Sequence, residues 1–124
     1  MTVVLAGALV ELHDDGLTLT RYRPGVEVHA RPHDTDEYRA RAAALGYGAD
    51  TARMSRDHEL CHGLVSEALG LPHSPTLMGV ATGRHHPAWR EEEAAVLAVQ
   101  RLAVALGVDC AALAARPRPA GGVA

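Results

Sequence analysis

Apolar and polar positions change their period along this chain, and the change divides it into a strand-rich start and a helical remainder. From Val3 to His13 the residues are mostly Val, Leu and Ala. After Asp14-Asp15-Gly16, the run Leu17 to Tyr22 alternates Leu and Thr. Two such runs about an Asp-Gly turn predict a β-hairpin with Gly16 at positive φ. Pro24-Gly25 marks a second turn. Beyond it Val26, Val28 and Ala30 share one face of a short third strand, with Glu27, His29 and Arg31 on the other. The first third of the chain is therefore expected to be a small antiparallel meander.

Pro32 ends the strands, and the period lengthens. Asp34 or Thr35 is placed to cap a helix that reaches Leu45 and is closed by Gly46 and Gly48. A second helix is expected from Thr51 to Leu69. Its apolar stripe of Met54, Cys61, Leu64, Val65, Ala68 and Leu69 overlaps the face that carries His58 and His62. Gly70 and Pro72 stop it. Ser74-Pro75 opens a brief helical turn to Ala81, and Thr82 to Pro87 reads as a loop. A long helix from Ala88 to Leu106 follows, opened by Glu91-Glu92-Glu93, where negative charge suits a helix N-terminus. Asp109 caps a last short helix to Ala115. The order predicts a single α+β domain over residues 1–115, a β-meander followed by about four helices, with a flexible tail over 116–124.

Composition narrows the class without naming a chemistry. The 124 residues are 48% apolar and 22% charged, as in an ordinary folded domain. All 12 basic residues are Arg, which we read as the mark of a GC-rich coding genome; Arg and Ala runs therefore say little about function. A net charge of −3 offers no basic field to nucleic acid. The run Val99 to Asp109 followed by Ala111 to Ala114 looks like the first helices of a repressor-type helix-turn-helix. It lacks basic residues on the second helix until Arg116, so no nucleic-acid partner is expected. Val3 to Val10 is too short to span a bilayer. Cys61 and Cys110 make no disulfide framework, so a reduced, cytoplasmic chain without a membrane partner is expected.

Histidine is the outlier, at eight residues. His58-Glu59-Leu60-Cys61-His62, on a helix, stacks two imidazoles one turn apart, with a Glu after the first. This is the H-E-x-x-H pattern, in which the two His hold zinc and the Glu acts as general base. The plain alternative is a helix with two ordinary histidines, one buried and hydrogen-bonded, one exposed. Both, however, face the apolar side, where an unpaired imidazole needs a partner. A zinc site needs a third ligand, and Glu93 lies in the first turns of a later helix, 31 residues after His62. Glu92 and His73 are alternatives, and the three glutamates suit a solvated helix terminus equally well. In a catalytic site Tyr47, His85 or His86 is placed to donate a hydrogen bond to an oxyanion. Cys61 reads as a core thiol rather than a nucleophile.

H-E-L-C-H followed by R-E-E-E-A-A-V-L-A resembles the compact gluzincin-type peptidases of the phage-immunity-regulator and radiation-response-regulator group. There H-E-L-G-H is followed, on a later helix, by E-A-N/D-x-F-A. The resemblance implies His58, His62 and Glu93 as zinc ligands, Glu59 as general base and a peptide or protein substrate. It also implies backbone pairing of that substrate with an edge strand, here Val26 to Ala30. Cys61 stands for the family Gly, and Ala95 for an Asn or Asp that would support a ligand His. Over a longer run, Tyr38 to Leu106, the chain resembles small alphaproteobacterial, partly prophage-associated proteins, a likeness that implies no activity. Two functions are thus expected alternatives. One is a zinc-dependent metallohydrolase acting on peptide or amide bonds. The other is a non-catalytic prophage-associated or accessory protein, with at most a structural metal, working through protein–protein contacts.

Overall fold

The first apolar run folds back on itself. Ala6 and Gly7 both take positive φ, 48° and 86°, and make a two-residue turn between β1 (Thr2–Leu5) and β2 (Ala8–Leu12). A side chain rarely adopts the Ala6 conformation, so the pattern gives no warning of this turn. The hairpin at Gly16 joins β2 to β3 (Thr18–Arg23), and β4 (Val26–Ala30) completes an antiparallel sheet in the order β1-β2-β3-β4. The meander therefore has four strands where three were expected. The computed structural model describes residues 1–23, 25–71, 73 and 86–116. The expected helical turn from Ser74 to Ala81, the loop from Thr82 with His85, and the tail from Pro117 lie outside the described residues.

Alternation decides what β1 and β2 bury, whereas in β3 Leu19 is buried along with its neighbours. Val3 and Leu5 of β1, Ala8, Val10 and Leu12 of β2 and Thr18 and Thr20 of β3 are buried, while Val4 and Leu9 face outward. Between β3 and β4 the register slips from Arg21 opposite Glu27 to Arg23 opposite Val26, leaving Tyr22 as the extra residue of a bulge.

The helices begin and end where capping chemistry allows. α1 (Asp36–Leu45) starts at Thr35, whose side chain accepts from the Tyr38 N–H, and ends at Gly46 in the left-handed region, φ 99°. α2 (Thr51–Ala68) is capped by Asp50, whose carboxylate accepts from the Arg53 N–H. α3 (Trp89–Leu106) stops at Gly107, and Asp109 accepts from the N–H groups of Ala111 and Ala112 to start α4 (Cys110–Ala114). An α+β fold, with the H-E-x-x-H run on the second helix, is what the pattern predicted.

α2 lies against the sheet at two glycines. A Cβ on Gly63 would come within 2.7 Å of Leu5 Cδ1, and one on Gly16 within 2.7 Å of Ala52 Cα. Between them Leu60 and Cys61 enter a core with Val3, Leu5, Val10, Leu12, Val96 and Cys110. A smaller cluster of Ala42, Leu45, Tyr47 and Met54 joins α1 to α2. The inward face of α2 is more polar than its expected stripe. Ser55, Asp57, His62 and Ser66 are buried, whereas Leu69 is 67% exposed. Among the described residues no helix is long and apolar enough to cross a membrane.

Candidate metal centre

α2 and α3 run antiparallel, and their shared seam is where the titratable side chains meet. Met54 and His58 face Gln100, while His62, one turn on, faces Glu92 at the start of α3. Val96 and Gln100, fully buried, fix the rotation of α3 about its axis. That rotation turns both Glu92 and Glu93 towards α2, at a helix end whose dipole favours carboxylates.

Three donor atoms converge. His58 Nε2 lies 3.3 Å from His62 Nε2. Glu93 Oε1 is 2.6 Å from His62 Nε2 and 3.3 Å from His58 Nε2. The edge of a tetrahedron with bonds of ~2.0–2.1 Å is ~3.3 Å, so two of these separations already match a tetrahedral N₂O site. His58, His62 and Glu93 can hold a metal ion.

The outward nitrogens are committed elsewhere, and this fixes both rings. Gln100 turns its amide N–H groups to the Met54 carbonyl, 3.0 Å, and to the Tyr47 hydroxyl oxygen, 3.1 Å. Its carbonyl oxygen must therefore face His58 Nδ1, 3.2 Å away, and accept a hydrogen bond from its N–H. Tyr47 in turn donates to Asp57 at 2.8 Å. His62 Nδ1 donates to Glu92 Oε2 at 2.5 Å. With both Nδ1 atoms protonated, His58 Nε2 presents a lone pair to the centre, as a metal ligand must. Carboxylate and amide partners of this kind orient ligand histidines. The supporting position expected at Ala95 is exposed to solvent, and Glu92 and Gln100 stand in its place.

The cluster holds more negative than positive charge unless a cation joins it. Burial opposes a charge on His62, but its bonds to Glu92 and Glu93 outweigh that and push its pKa up to about 9. The His58 and His62 imidazoles beside it hold the Glu93 carboxyl well below the usual range. Glu59 moves the other way: burial raises its pKa against the opposing pull of His62 and His58. A proton on His62 Nε2 offsets one of the two carboxylates at this point, and a divalent metal ion offsets both.

The centre opens on a cleft of about 360 Å³ lined by His58, Glu59, Glu93, Leu97 and Gln100 on one side. Its other wall is built from His29 and Ala30 of the edge strand β4, together with residues of α1. Glu59 thus shares a cleft with two of the three metal-competent residues.

The remaining expected residues fall elsewhere. Glu92 approaches the opposite nitrogen of His62 from the one Glu93 approaches. His73 is buried, neither ring nitrogen has a hydrogen-bond partner among the described residues, and burial lowers its pKa to about 4. Tyr47 spends its hydroxyl on Asp57 and Gln100. His86 is exposed and accepts from the Ala88 N–H, 3.1 Å. Cys61 and Cys110 are buried free thiols with sulfurs 4.0 Å apart, consistent with a core thiol at Cys61. Sequence reasoning passed over Gln100 as a hydrogen-bonding residue, although it sits seven residues, two turns, after Glu93 on the same face. It also passed over Tyr22, whose buried hydroxyl, set by the bulge, lies near the charges of Glu59 and Glu92. No family model, curated protein or solved structure matches the chain.

Proposed function

We propose that this chain is a zinc-dependent hydrolase of peptide or other amide bonds, of the minimal gluzincin type, with His58, His62 and Glu93 as ligands and Glu59 as general base. One observation carries the reading. Three donor atoms converge beside an open cleft, and each imidazole's other nitrogen is occupied by a partner that leaves Nε2 facing inward. Two nitrogens and one carboxylate oxygen suit zinc, and three protein ligands leave a fourth position for the reaction.

Zinc held there supplies a Lewis acid that polarises a substrate carbonyl and eases deprotonation of water. Glu59, its pKa raised by burial, takes the proton from the attacking water and returns it to the leaving amine. Glu92 and Gln100 keep the two imidazoles from turning. An extended substrate has β4 alongside the cleft, an edge strand with β3 as its neighbour in the sheet. The cytoplasm is the compartment this reading assumes.

A second reading rests on the 2.6 Å contact between His62 and Glu93. A proton in place of the metal makes the cluster an ion-pair network joining α2 to α3, in an accessory protein without catalysis.

Elemental analysis of the purified full chain separates the two. The hydrolase reading expects one zinc per chain, lost in His58→Ala and Glu93→Ala. It also expects Glu59→Gln to keep the metal and lose cleavage of a mixed peptide substrate. A chain without stoichiometric metal, or cleavage indifferent to Glu59→Gln, overturns it.

A further inference from the structure

The cleft is longer than the metal centre needs, and its far end has a different character. From His58 it follows α2 back by one turn, ~5 Å, to Ser55 and Met54. There α1 contributes Tyr38 and Arg41, and the chain leaving β4 contributes Arg31 and His33. Tyr38 shares this wall with Ser55 and makes an edge-on contact with His33, ring centroids 5.2 Å apart.

Among its lining residues the cleft carries two carboxylates, Glu59 and Glu93, and two guanidinium groups, Arg31 and Arg41. The nearby arginines are mostly spoken for. Arg39 pairs with Asp34 and Asp36, and Arg53 and Arg56 lie near Asp57. Arg31 gives one terminal nitrogen to Asp15 at 3.1 Å and keeps its other donors. Arg41 lines the cleft, and among the described residues no carboxylate pairs with it.

We propose, resting on the amide-hydrolase reading, that Arg41, assisted by Arg31, receives a carboxylate of the substrate, so that the chain cleaves peptides beside an acidic group. A guanidinium on one wall of a cleft binds a carboxylate through two parallel N–H···O bonds, a geometry that neutral amides do not match in strength. An extended peptide rises ~3.3 Å per residue, so a group one turn of α2 from the centre belongs to a residue one or two places from the cleaved bond. The acid is either an Asp or Glu side chain or the free C-terminus of a short peptide.

Matched peptides test this on the zinc-loaded full chain. One set differs only by Glu or Gln at each of the two positions on either side of the cleaved bond. A second set differs only by a free or amidated C-terminus. The expected result is a kcat/KM ratio of ~10 or more in favour of the acid in one set, which identifies the source of the carboxylate. That ratio falls towards one in Arg41→Gln and below one, in favour of the neutral peptide, in Arg41→Glu. A wild-type ratio near one in both sets, or a ratio unchanged in Arg41→Gln, overturns the proposal. If the chain cleaves none of the peptides, calorimetric binding of the same pairs decides. Acid-selective binding lost in Arg41→Gln keeps the assignment of the cleft while the hydrolase reading falls; equal binding of acid and amide sinks it.

Discussion

The two working faces of α2 are built on different rules. Towards the sheet, Leu60, Cys61 and Gly63 meet Leu5 and Val10, and what matters is volume: Leu60 is fully buried, and Gly63 is where β1 comes closest. Towards α3, His58 and His62 meet Glu92, Glu93 and Gln100, and what matters is direction. Nearly every polar atom there has one partner that its neighbours leave it. A packing face can trade one apolar residue for another at a cost set by the space left over. A hydrogen-bonded face cannot, because a removed partner leaves a buried group unsatisfied. Five residues of helix, His58 to His62, are thus stabilised by one set of contacts and given their polar partners by another.

The sharpest way to break this contrast is on the packing side. Leu60→Ala empties a fully buried site and is expected to cost ~2–5 kcal/mol in urea unfolding, while on the zinc reading the folded fraction still binds one zinc. Loss of metal from the folded fraction would show that the two faces are not separable.

His73 tests the sheet side through pH. Its folded pKa, about 4, lies below the usual histidine value, so the unfolded chain takes up a proton first as pH falls. The neutral buried ring therefore contributes stability that is complete above about pH 6.5 and drains away as the pH falls towards 4. We expect ~2–3 kcal/mol of pH-dependent stability across that window, and a shallower slope in His73→Phe. Equal slopes in the two proteins would assign the pH dependence to other groups.

Gly63→Ala follows, with ~1–3 kcal/mol expected because the new methyl meets Leu5 side-chain carbons at 2.7 and 2.9 Å. Thermal unfolding should record a lower midpoint, and an unchanged one would mean that α2 is free to lift from β1. The smallest effect on folding is expected on the polar face. Glu92→Gln keeps an oxygen for His62 Nδ1 but loses its charge, and metal affinity should drop about 10- to 100-fold with stability altered by less than ~1 kcal/mol. Competition with a chelator measures the affinity. No change in it would remove Glu92 from the support of His62.

Much of the fold was legible because it follows local rules. Thr35 and Asp109 cap as their side chains dictate, Gly46 and Gly107 close helices in the left-handed region, and Asp14-Asp15-Gly16 turns the hairpin. The turn at Ala6-Gly7 escaped because Ala there adopts a backbone conformation that its type seldom shows. Tyr47 is tied to the site by its hydrogen bonds. Its hydroxyl is one link in the chain from Asp57 through Gln100 to His58, an arrangement that joins residues 43 positions apart in sequence and has no local signature.

By itself the sequence determined that two imidazoles would stack on one helix with a Glu between them, because a spacing of four residues is one turn whatever the surroundings. It also determined that carboxylates would open a later helix. Only the tertiary structure decided which carboxylate meets which nitrogen. Glu92 and Glu93 are separated by about 100° around α3, and the burial of Val96 and Gln100 sets that helix's rotation. Glu93 therefore reaches the Nε2 atoms of both His58 and His62, and Glu92 reaches Nδ1 of His62. Which carboxylate meets the two Nε2 atoms was a matter of helix packing, and packing depends on residues far from the motif.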